Sequence, residues 1–166
     1  MTLDMQYSSG MPDLLNTPGD YYAVAYCLSA LAFLNSLPQR LRGWKRWTVY
    51  AFVSVFLCIF MTVTKKLPQA VFLPMVLCNL LVLFLIFWTL SDISLHEQIY
   101  FTLRAFIYGE CIASVAWQML LYGVETLDFP LNIRTNLIFC LPVYVGMTVL
   151  AWVVERHRAK KTASWS

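Results

Sequence analysis

Side chains that could do chemistry concentrate in one apolar run, residues 99–122. It carries Arg104, Glu110, Ser114 and Gln118, with Trp117 among them. On a helix turning about 100° per residue, Ser114 lies about 40° from Glu110 and Gln118 about 80° from it. Trp117 and Ala113 lie about 20° and about 60° to the other side. The five share one side of a helix. Arg104 is about 120° away, so a pair with Glu110 along this helix is poorly aimed. It stands near the start of the run, where a long side chain can snorkel to a membrane interface. Glu110 is near the middle and has no such route. An ionisable group at bilayer depth costs roughly 2.5–3.5 kcal/mol on insertion scales and normally faces a bundle interior. Asn79, in another apolar run, and the hydroxyls of Ser54 and Thr62 are the partners the sequence offers. Such groups either hold a ligand or join helices as packing glue, worth about 0.6 kcal/mol each. For Ser114 and Gln118 the glue role is favoured.

The elements that must position these residues follow from composition. Of 166 residues, 60% are hydrophobic and 13% charged. Soluble domains are about 45–50% apolar and about 25% charged, so disorder and an ordinary soluble fold are both excluded. A membrane-spanning helix takes about 20 apolar residues. Five such runs are expected, at 21–37, 48–64, 69–90, 99–122 and 136–154. None shows the strict alternation of a membrane β-barrel strand. The fold class expected is all-α, a polytopic membrane bundle of about five transmembrane helices. Residues 1–20 form an N-terminal segment, 21–154 the bundle and 155–166 a basic tail. The first twenty residues hold no lysine or arginine, so a cleaved signal with a basic n-region is not expected.

Orientation follows from lysine and arginine near the span ends. Arg40, Arg42, Lys45, Arg46, Arg156, Arg158, Lys160 and Lys161 fall on one side; Lys65, Lys66 and Arg134 fall on the other. This places the N-terminus outside and the C-terminus inside. The basic 40–46 segment reads as that topology signal, with access to anionic headgroups, and no nucleic-acid partner is expected. The five cysteines, Cys27, Cys58, Cys78, Cys111 and Cys140, lie in apolar runs and never at a CxxC spacing. They read as small buried side chains. The two histidines, His96 and His157, form no HExxH, and there is no glycine-rich phosphate loop or GxSxG. No metal, cofactor or catalytic group is expected.

The stretch 104–118, Arg-Ala-Phe-Ile-Tyr-Gly-Glu-Cys-Ile-Ala-Ser-Val-Ala-Trp-Gln, resembles a segment of the multi-span sensor region of GHKL-type sensor histidine kinases. Arg104, Glu110, Ala113, Ser114, Trp117 and Gln118 match the form associated with that family. Ala116 stands where the family often has a second acidic residue. Family members continue into a dimerisation helix with a phosphoacceptor histidine and an ATP-binding domain. These 166 residues hold no ATP-binding motif, and His157 is not assigned as phosphoacceptor. The resemblance implies a signal-sensing membrane region in the cell membrane, an extracellular peptide or small-molecule signal, and a homodimer. The alternative is a small-molecule carrier subunit of a membrane uptake system.

Overall fold

The computed structural model describes residues 17–41, 43–64, 72–130 and 132–163. Five helices are formed: α1 Gly19–Leu34, α2 Trp44–Thr64, α3 Phe72–Leu90, α4 Leu95–Thr126 and α5 Ile133–Ala163. Among the described residues there is no strand, only one isolated bridge between Gln39 and Ser91. The chain is an all-α bundle. Helices α2 to α5 are long and apolar enough to cross a membrane, while α1 is a shorter apolar helix. Its 16 residues reach about 24 Å at 1.5 Å per residue, short of a hydrocarbon core about 30 Å thick.

Sequential helices alternate in direction. The Thr62 hydroxyl donates to Asp20 at 3.2 Å, the Tyr50 hydroxyl to the Cys27 carbonyl and Arg46 to Asn35, so α2 runs antiparallel to α1 along its length. The α1–α2 and α3–α4 loops are joined by Arg40 N–H to the Leu90 carbonyl and Asp92 N–H to the Pro38 carbonyl, both 3.0 Å. One end of the bundle therefore gathers Asn35, Trp44, Leu90 and Ser94. The other gathers Asp20, Thr62 and, through the Asn136 amide on the Tyr21 hydroxyl, the start of α5.

Helix α1 sits at the centre, with Ala23, Ala25, Tyr26, Ser29, Ala30, Ala32, Phe33 and Leu34 buried. The face of α4 that meets its neighbours is built on Ala105, Gly109, Ala113 and Ala116. Lipid tails are as apolar as leucine, so packing between helices in a bilayer relies on small residues that let backbones approach. Many large apolar side chains point outward, Phe52 being 74% exposed and Val63 67%, while Phe33, Leu34, Ile86 and Phe87 fill the core.

Helix ends differ from the expected runs for identifiable reasons. Helix α4 starts at Leu95, not 99. The Ser94 hydroxyl accepts from Glu97 N–H at 3.4 Å, and Ser94 N–H donates to the Glu97 carboxylate at 3.0 Å. This reciprocal capping box satisfies two N-terminal backbone donors. Helix α4 continues to Thr126, so the loop expected at 123–135 is shorter. Asn132 starts α5 by accepting from Thr135 N–H at 2.9 Å. Helix α5 holds Pro142 in its interior and runs past 154 to Ala163. The cysteines correct the expectation of burial. Only Cys140 is buried; Cys27 and Cys58 are half-buried, and Cys78 and Cys111 are exposed on helix flanks.

Candidate functional site: two polar pairs on α4

Glu110 leaves the α4 backbone at the edge of the α1 interface. Its partner is Tyr26 of α1, whose hydroxyl donates to Oε1. Tyr26 is 2% exposed, and its ring stacks on Phe106 at 5.3 Å. Close approach is possible because residue 109 is glycine: a Cβ there would lie inside the Tyr26 ring. One turn further along, the Ser29 hydroxyl donates to the Ala105 carbonyl at 2.8 Å. A phenol, a hydroxyl and a carboxylate thus tie α1 to α4.

The partners proposed from sequence do not meet Glu110. Asn79 is 3% exposed, but its amide donates to the Met61 sulfur of α2 at 3.2 Å, and its Oδ1 has no hydrogen-bond partner among the described residues. Thr62 bonds to Asp20 and to the Cys58 carbonyl. Ser54 of α2 is likewise apart from the pair. Trp117 is 5% exposed and meets Tyr21 edge-on at 5.2 Å, between α1 and α4. Ser114 is half-buried, and Gln118 is exposed. The structure brings Glu110 and Trp117 to the α1 interface and leaves Gln118 outside it.

Arg104 belongs to a second pair. Its guanidinium donates to Glu155 Oε1 of α5 at 2.5 Å. It also lies 4.9 Å from the Phe33 ring centre, 5.4 Å from Tyr100 and 5.8 Å from Phe101. Planar, weakly hydrated guanidinium suits such stacking on aromatic faces. The Glu155 side chain is 7% exposed and that of Arg104 25%. Burying two charges is repaid only when geometry and extra contacts are good, and the three rings supply those contacts. Glu155 is therefore part of the bundle, not of a solvated tail. A cleft of about 290 Å³ opens beside the pair, lined by Phe33, Arg104, Ile107, Tyr108, Leu150, Ala151, Val154 and Glu155. Its far wall is held by the Tyr108 hydroxyl on the Met147 carbonyl at 2.7 Å.

Tyr26, Tyr108 and Glu155 escaped the sequence reading. Glu155 carried a signal: Cys140, Tyr144, Ala151 and Glu155, all buried, follow i, i+4, i+11, i+15 spacing, one face of a helix. Tyr26 carried none beyond its place among alanines.

The chain matches no protein-family model, no curated protein and no solved structure.

Proposed function

We propose that the chain is a membrane signal-sensing bundle that reports changes at the α1–α4 interface through α5. The carrying observation is the Arg104–Glu155 pair. It connects α4, which holds Glu110 against Tyr26, to the stretch of α5 that leaves the bundle at its basic end. A signal, whether a peptide or a small molecule, acts by binding one packing of α1 against α4 better than another, since differential affinity is what shifts an equilibrium. In this reading the end carrying Arg40, Lys45, Arg46 and Arg156 is cytoplasmic, by the positive-inside rule. The bundle resides in the cell membrane and works as a homodimer, in keeping with the likeness to sensor histidine kinases.

The test is hydrogen–deuterium exchange on the protein in lipid nanodiscs, comparing wild type with Glu110→Gln. Altered protection in residues 150–157 of α5, the helix that Glu110 does not bond, is the expected result. A change confined to α1 and α4 overturns the reading. The carrier alternative is less well served, because the cleft lies at the basic end while an uptake subunit needs its pocket at the outer face. Uptake of a labelled small molecule into vesicles, lost in Glu110→Gln, would favour the carrier.

A further inference from the structure

We infer that the cleft between α4 and α5 is a binding site for one anionic phospholipid of the leaflet at the basic end. This rests on the cleft's own geometry and holds whether or not the chain relays a signal. Three observations carry it.

The first is depth. Helix α4 has 32 residues, about 48 Å, against a hydrocarbon core about 30 Å thick. Centred, it projects about 9 Å beyond the core at each end, and Arg104 is then about 5 Å inside the boundary. A guanidinium at that depth reaches phosphate level by snorkelling.

The second is the lining. Ile107, Leu150 and Val154, which are 66%, 54% and 39% exposed, form an apolar track open to the bilayer. Phe33 closes its floor, and Arg104 and Glu155 close its polar end. Apolar walls with one cation at the end match an acyl chain joined to a phosphate. The bond to Glu155 uses one of five guanidinium donors, and a phosphate can take others.

The third is the charge of the bundle end on which the cleft opens, with Arg156 next to Glu155 of its lining. Arg40, Lys45, Arg46 and Arg156 come from two separated stretches of sequence to this one end. Arg46 lies over Trp47 at 5.3 Å and Arg156 over Trp152 at 5.1 Å. Basic residues beside interfacial tryptophans attract anionic headgroups, each basic residue near the surface adding to the attraction. Inorganic phosphate would answer to the charges but not to the apolar track.

The experiment is native mass spectrometry of the protein extracted from vesicles of phosphatidylglycerol and phosphatidylcholine. Wild type is expected to retain one phosphatidylglycerol per protomer. Removing Arg104 alone would take an ion-pair contact from the buried Glu155, so the charge variant is the double substitution R104Q/E155Q. It is expected to retain the lipid about tenfold less, the worth of one charge-assisted hydrogen bond. Leu150→Trp, which fills the track and keeps both charges, is expected to do the same. Inorganic phosphate is expected not to displace the lipid. Retention unchanged in both variants overturns the inference, as does equal retention of phosphatidylcholine or displacement by phosphate. Loss on neutralising Lys45 and Arg46, with none in R104Q/E155Q, would also overturn it, reducing the contact to the surface belt.

Discussion

The Tyr26 ring packs against Gly109, where a Cβ would meet the ring's Cδ1 at 2.4 Å, one residue before the carboxylate that its hydroxyl bonds. The glycine makes room and the glutamate fixes the ring. Gly109→Ala would force the ring or the helix to move. Overpacking of this kind costs about 1–3 kcal/mol, so we expect a lower unfolding midpoint in detergent. An unchanged midpoint would show that Tyr26 swings aside freely.

Tyr26→Phe and Glu110→Gln separate the two halves of that bond. The phenylalanine leaves a carboxylate without its donor between helices, at about 1–2 kcal/mol. The glutamine keeps an acceptor oxygen and should cost less than about 1 kcal/mol. Thermal unfolding of both variants gives the order, and a glutamine variant less stable than the phenylalanine would contradict it.

Arg104 and Glu155 are coupled across α4 and α5. Removing either partner takes an ion-pair contact from a largely buried charge, and we expect about 2–4 kcal/mol for Arg104→Gln, toward the lower end because its side chain is partly exposed. R104Q/E155Q should recover much of that loss. A double-mutant cycle with strictly additive costs would mean that the pair is not an energetic unit.

These partners show where sequence reading stops. The apolar runs were legible because bilayer length and hydrophobicity fix them, and each expected run coincides, over most of its described residues, with one helix. The polar misfits of α4 were legible for the same reason: Arg104 and Glu110 are costly in lipid. Their rotation was not. Centring the shared side on Glu110, with Ser114, Gln118, Trp117 and Ala113 around it, places it about 100° from the observed interface, which is made by Ala105, Gly109, Ala113 and Ala116. Small residues carry no hydropathy signal, yet they decide how near α1 can come. Glu155 was assigned to the tail because it neighbours arginines and a histidine. Its place on the face of Cys140, Tyr144 and Ala151 outweighs that neighbourhood.

The thiols give a test of the outer surface. Cys78 and Cys111 are exposed and Cys140 is buried. A lipid-soluble maleimide should modify the first two in the folded protein and reach Cys140 only after unfolding, as read by peptide mass mapping. Modification of Cys140 at the same rate would mean that the α4–α5 packing is looser than described.

Topology can be read with cysteines placed at the two ends. Lys45 and His96 share one end and Glu125 stands at the other, all three exposed. In sealed vesicles, a membrane-impermeant reagent should treat Lys45→Cys and His96→Cys alike and Glu125→Cys oppositely. Equal access to all three would contradict the up–down arrangement.

The central position of α1 has a consequence for biogenesis. Chains are made from the N-terminus, so the helix that ends up most enclosed is synthesised before every neighbour that encloses it. Ser29 and Tyr26 find their acceptors on α4 only after more than seventy further residues have been made. Until then α1 has α2 beside it and little else to hide its hydroxyls from acyl chains. The fourth helix is thus the clasp that closes the polar seam of the first, and α5 packs on both afterwards.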